Sequence, residues 1–160
     1  SIAALSSPAS AADGTITITG TVQAATCTVS NGGAVAVALP TVSTSALSTS
    51  GTVAGTKAFQ IGLTACTVGP ATAYFEAGPN IDTTTGRLKN NGTATNVQVQ
   101  LLNSAGNAIN LAGASGSQNG TSITLVAGAN NLNYSAQYYA TGAATAGSVT
   151  TSVVYTMQYL

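Results

Sequence analysis

The chain is 160 residues long and carries only three basic residues (Lys57, Arg87, Lys89) against three acidic ones (Asp13, Glu76, Asp82), with no His and no Trp. Without His the Ser-His-Asp and Cys-His arrangements cannot be assembled, and three cations cannot form the phosphate-neutralising patch of a nucleic-acid binder. Charge at 4%, against roughly 25% in an ordinary soluble domain, leaves a surface of Thr, Ser, Asn, Gln, Ala and Gly with little repulsion between copies. The length fits one domain, and a 44% hydrophobic chain of zero net charge lacks the signature of disorder. No stretch approaches the ~18 consecutive apolar residues of a membrane-spanning helix.

In chain order, Ser1 to Ala12 reads SIAALSSPASAA, and Ala9-Ser10-Ala11 has the small-residue pattern that ends a secretory signal. The apolar part before it, Ile2 to Leu5, is too short for a complete signal. Residues 1–11 are therefore either the tail of a signal cut upstream or an extension of the mature chain. From Ala12 to Val22 the even positions Ala12, Gly14, Ile16, Ile18, Gly20 and Val22 alternate with Thr15, Thr17, Thr19 and Thr21, which predicts one long amphipathic strand or two in sequence. Gly14 stands in the middle of the inward face, where a large apolar residue is expected. Such a glycine marks either a tolerated bulge or a strand fitted to a groove with one shallow pocket.

Further short period-two segments follow. Val35, Val37 and Leu39 stop at Pro40; Phe59, Ile61 and Leu63 run into Cys66; Ala73 and Phe75 form another; Val97, Val99 and Leu101 alternate with Gln98 and Gln100. Ile109 and Leu111 predict a short strand, Ile123 and Leu125 another, and a turn at 128–131 leads to Leu132, Tyr134, Ala136 and Tyr138. After a Gly/Ala loop at 142–147, Val149, Val153, Tyr155, Met157 and Tyr159 share one parity. No segment sustains the i, i+3, i+4 spacing of a long helix, so eight or more short strands predict a β-sandwich.

Cys27 and Cys66 are the only cysteines, and no His or third Cys is present to complete a zinc shell. They read as a disulfide in preference to two free buried thiols. Closing a loop of about 40 residues stabilises a fold by roughly 4 kcal/mol in the chain-entropy description, and it implies an oxidising compartment.

The run Asp13-Gly-Thr-Ile-Thr-Ile-Thr-Gly-Thr-Val-Gln-Ala-Ala-Thr-Cys27 resembles the N-terminal extension and first strand of chaperone–usher pilins, the type 1-like major fimbrial subunits. Phe-Gln-Ile-Gly-Leu-Thr-Ala-Cys66, Ala-Gln-Tyr-Tyr-Ala-Thr-Gly142 and the closing Val-Val-Tyr-Thr-Met-Gln-Tyr-Leu160 are similar to further family motifs, in the same order. The resemblance implies an all-β, incomplete immunoglobulin-like sandwich lacking its last strand, completed by a donor strand from a neighbouring subunit. It divides the chain into an extension, 1–19, with the donor strand at about 12–19, and a pilin domain, 20–160.

By the same resemblance Ala12, Gly14, Ile16 and Ile18 fill the neighbour's groove, with Gly14 at its shallow pocket, while Thr15 and Thr17 face away. Cys27 and Cys66 form the family's disulfide. Val153, Tyr155, Met157 and Tyr159 form the last strand, bound first by the chaperone and later flanking the groove. The implied partners are identical subunits in a homopolymer, a periplasmic chaperone, an outer-membrane usher and a tip adhesin or adaptor. The implied place is a cell-surface fimbrium, reached through the periplasm of a Gram-negative bacterium, that serves adhesion and biofilm formation. No cofactor, metal or catalytic residue is expected.

Two other classes compete. A carbohydrate-binding tip adhesin needs sugar-stacking aromatics and calcium ligands that this composition supplies poorly. A Thr/Ala-rich solenoid such as an ice binder needs a fixed repeat, and the Thr-x-Thr runs recur at no fixed interval. The N-x-[ST] matches at Asn91, Asn119 and Asn133 read as chance composition, Arg87 and Lys89 near Asp82 as a solvated loop, and Tyr138 as core. The stretches 112–120 and 140–147 read as exposed loops, suited to subunit contact or antigenic variation.

Overall fold

The structure, a computed structural model, describes residues 12–22 and 26–160. The Ala9-Ser10-Ala11 site and the rest of 1–11 lie outside the described residues.

The described residues form eight strands: β1 (Thr28–Val29), β2 (Val53–Cys66), β3 (Gly69–Phe75), β4 (Leu88–Lys89), β5 (Val97–Leu102), β6 (Ser122–Leu125), β7 (Gly128–Ala140) and β8 (Tyr155–Tyr159). They form a five-stranded sheet, β1-β2-β7-β5-β4, and a three-stranded sheet, β6-β3-β8, with every pair antiparallel. Period-two alternation sends Ile61, Leu63, Val99, Leu101, Leu132 and Tyr134 inward from the larger sheet, where they meet Ala71, Ala73, Phe75 and Leu125 of the smaller. Tyr134 is the hub. Its ring stacks on Phe59 at 5.5 Å and meets Phe75 edge-on at 5.6 Å, pairs worth about 0.5–1.5 kcal/mol each beyond their burial.

Two bulges re-aim β2, one between Ala54 and Lys57 and one between Leu63 and Cys66. In the second, Ala65 takes φ +51, and the chain turns Cys66 into the core, where its sulfur is bonded to Cys27.

The architecture is the incomplete sandwich that the resemblance implies, but several segments differ from their sequence reading. Residues 12–22 are exposed throughout and form no strand, because nothing in the described chain pairs with them. Residues 34–40 alternate as a strand does, yet they join no ladder. Ile109 and Leu111 are buried without a strand, anchored by one bridge, Leu102 to Ala108, and the Ile109 N–H on Leu101 C=O. The turn expected at 128–131 falls at 126–127. There Asn130 Oδ1 accepts from Val126 N–H and Asn130 Nδ2 donates to Val126 C=O, fixing the turn by which the chain crosses from β6 in the smaller sheet to β7 in the larger. The last strand is paired only from Tyr155 onward.

Candidate functional site

An open apolar groove of about 590 Å³ runs between the two sheets. Phe59, Ile61, Val99, Leu101 and Ala136 of the larger sheet form its floor, with Phe75 opposite. Its rims are two extended segments, 33–39 and 149–155, lying far apart in sequence.

The first rim exists because the chain leaves β2 abruptly after β1. Asn31, Gly32 and Gly33 take φ of 54, 62 and 87, three consecutive left-handed residues for which Asn and Gly are the suitable types. Beyond this turn the backbone N–H and C=O groups of residues 35–39 have no hydrogen-bond partner among the described residues. The segment is held by side chains instead. Val37 and Leu39 pack on the core, Tyr138 Oη donates to Pro40 C=O at 2.9 Å, and Tyr155 Oη donates to Gly33 C=O at 2.7 Å.

The second rim is paired on one side only. Ala94 N–H donates to Ser148 C=O, Asn91 N–H to Thr150 C=O, Asn80 Nδ2 to Ser152 C=O and Glu76 N–H to Val154 C=O, all between 2.8 and 3.0 Å. Gly92 permits this approach, since a Cβ there would stand 2.3 Å from the Ser148 carbonyl oxygen. The even residues thus bond outward. The backbone groups of Val149, Thr151 and Val153 have no partner among the described residues. Alternate unpaired residues facing an apolar groove are the edge of a sheet that lacks its next strand.

Val153 and Tyr155 line the groove, whereas Met157 and Tyr159 share their face but pack into the core beyond it, with Tyr159 Oη 3.5 Å from Cys27 C=O. Burial raises the Tyr155 hydroxyl above the usual tyrosine pKa. Ala12, Gly14, Ile16 and Ile18 are not brought to this groove. They are exposed, Ile16 at 89% and Ile18 at 88%, and a Cβ on Gly14 would meet nothing within 4 Å. Sequence reasoning missed Thr151, whose buried hydroxyl lines the groove without a partner; Tyr138, read as core, packs half-buried against the smaller core cluster of Leu47, Ala94, Val97 and Ala140 and also lines the groove. It also took Arg87 and Lys89 for a solvated loop. Lys89 is exposed on β4, but Arg87 lies 3.7 Å over the Tyr139 ring with its Nε donating to Gln98 Oε1. That contact depends on the β5–β7 register, Gln98 opposite Tyr139, which composition does not reveal. Among the described residues no three His, Cys, Asp or Glu side chains cluster as metal ligands, and no helix is long and apolar enough to cross a membrane.

A sandwich with an apolar groove and an unpaired rim on each side defines a class of protein built to be completed by a strand from elsewhere. The family profile described as "FimA: Type-1 fimbrial protein, A" matches residues 39–160. The chain is 48% identical to the major fimbrial subunit SMF-1 of Stenotrophomonas maltophilia (strain K279a), covering 99% of each chain. It is 44% identical to the F17 fimbrial protein of Escherichia coli, over 98% of this chain and 93% of the relative. Among solved structures it shares its fold with a chaperone–usher pilus described for rod uncoiling (TM-score 0.68, 22% identity, 93% of this chain and 96% of the other). It shares it also with the P pilus rod subunit PapA (TM-score 0.65, 18% identity, 84% and 99%). The chain belongs to the type-1 fimbrial protein family, and it is a structural subunit of an extracellular surface fimbria.

Proposed function

We propose that this protein is the major subunit of its fimbria and polymerises by donor-strand exchange, residues 12–19 of one copy filling the groove of the next. Donor-strand complementation is a known form of β-augmentation, in which main-chain hydrogen bonds give affinity and alternate side chains enter pockets. The observation that carries the reading is the unpaired backbone of Val149, Thr151 and Val153 beside an apolar groove, on a chain whose own alternating segment is exposed and unpaired. Residues 12–18 and 149–155 are each seven long, so one extended segment spans the other residue for residue. Ala12, Gly14, Ile16 and Ile18 then face the pockets, and Thr15 and Thr17 face solvent. The extension, 1–19, and the pilin domain, 20–160, act as separate halves of a joint. Before assembly a periplasmic chaperone covers the groove through Val153, Tyr155, Met157 and Tyr159, an outer-membrane usher directs the exchange, and an adaptor or tip adhesin precedes the first copy. The polymer serves adhesion and biofilm formation.

Deleting residues 12–19 tests this. The expected result is a folded, chaperone-bound subunit that forms no fibres by electron microscopy; normal fibres sink the reading. Gly14→Leu sharpens it. Because the added side chain meets nothing within its own subunit, the melting temperature stays constant while assembly slows by at least about tenfold, a bulky residue having to enter a shallow pocket. Unchanged assembly kinetics would move the donor register away from Gly14.

A further inference from the structure

We infer that Tyr155 gates the groove: its hydroxyl ties the two rims together in the empty subunit, and a donor strand seats fully only when that tie opens. The inference rests on the donor-strand reading above and adds a control on its rate.

Tyr155 opens β8, where its backbone is already paired opposite Phe75, so the main chain is fixed and only the side chain spans the gap. Its hydroxyl donates to Gly33 C=O at 2.7 Å, a bond between residues 122 positions apart. Among the described residues no other hydrogen bond joins 33–39 to 149–155. The acceptor is held in place by the left-handed turn at 31–33, and a Cβ on Gly33 would stand 3.4 Å from the hydroxyl oxygen.

The tie also partitions space. On one side lies the main groove; on the other lies a second hollow of about 220 Å³, reached past Val29, Ser30, Gln60 and Gly62. Ala34, Val35, Ile61 and Tyr155 border both. A strand laid along 149–155 comes level with Tyr155 at one end. Strands on either side of an inserted one stand about two spacings apart, roughly 10 Å, and the Tyr155 side chain, held across that interval by its bond to Gly33 C=O, occupies space that the inserted backbone needs. Filling therefore begins in the larger compartment and is completed when the hydroxyl releases Gly33. A single neutral hydrogen bond changes the frequency of opening by about five- to tenfold, which slows insertion without preventing it.

The test uses the full-length subunit and a fluorescent synthetic peptide of residues 12–22, with uptake followed by anisotropy. Tyr155→Phe keeps the ring and its core contacts and removes only the hydroxyl. The expected result is uptake about five- to tenfold faster than wild type, with the melting temperature of the free subunit within a few degrees of wild type as the check that the variant is folded. Equal or slower uptake by the variant overturns the gate and leaves the donor reading standing, because the peptide still binds. Failure of both proteins to take up the peptide overturns the donor reading and the gate with it.

Discussion

Thr151 illustrates how one atom reports an unfilled site. Its hydroxyl is buried in the groove wall with no hydrogen-bond partner, and its backbone groups are unpaired as well. A buried hydroxyl without a partner carries its full desolvation cost, about 1–3 kcal/mol, so an isosteric apolar side chain is preferred in the empty subunit. Thr151→Val is therefore expected to stabilise the free subunit by about 1 kcal/mol, raising its melting temperature by about 2–4 °C in a scan of the unpolymerised protein. An unchanged or lower melting temperature contradicts the assignment. Thr looks ordinary in the sequence at position 151, since only its surroundings make it an orphan. The alternation of Val149, Val153 and Tyr155 was readable, because period two is a property of the strand itself.

At the scale of elements, the smaller sheet is longer than its strands. β6 pairs with β3 only as far as Thr72, yet Phe75 at the end of β3 is not left without a partner on that side. Gln118 supplies one: its Oε1 accepts from Phe75 N–H at 3.0 Å and its Nε2 donates to Phe75 C=O at 2.7 Å, copying a backbone pair with a side-chain amide. The same Nε2 reaches Gly113 C=O and so fastens the 112–120 loop, which is exposed, as its composition predicts, except for Gln118 itself and the half-buried Gly113 and Gly120. Gln118→Leu keeps the volume but leaves these buried groups unpaired, and it is expected to destabilise the subunit by about 2 kcal/mol, seen as a lower urea midpoint at unchanged slope. A midpoint like that of wild type would show that the amide pairing contributes nothing. A lone Gln in a Gly/Ser-rich stretch gives no signal of this role, because Phe75, whose backbone it pairs, is 43 residues away.

At the scale of the whole molecule, the scarcity of charge shapes the response to pH. Asp82 is held below the ordinary carboxylate value of 3.8, first by the hydrogen bond from Gln98 and then by Thr84 N–H. Its support to the fold is complete above about pH 4 and is lost as pH falls through the lowered value. Burial pushes the Tyr134 hydroxyl up to about 12, so the core keeps its neutral form; that support is complete below about pH 10 and is lost as pH rises through 12. With no His and the cysteines joined, melting temperature is expected to be flat from about pH 5 to 9 and to fall on both sides. A step between pH 6 and 7 would contradict this. The near absence of charge also suits a subunit that packs against copies of itself, since contact then immobilises few long side chains and meets little repulsion.

Local periodicity was enough to mark the alternating segments, among them Ala12 to Val22, and the inward faces of Ile61, Leu63, Val99 and Leu132, because period two is a property of a few consecutive residues. The sequence also marked Cys27 and Cys66 as a pair by elimination. The tertiary structure alone decided which of the alternating segments find partners. Residues 12–22, 34–40 and 149–153 carry the same pattern as the paired strands, yet they remain outside the ladders. Pairing is a long-range event. It depends on whether another edge arrives at strand spacing, and the two rims of the groove stand apart around a space that the described residues leave open.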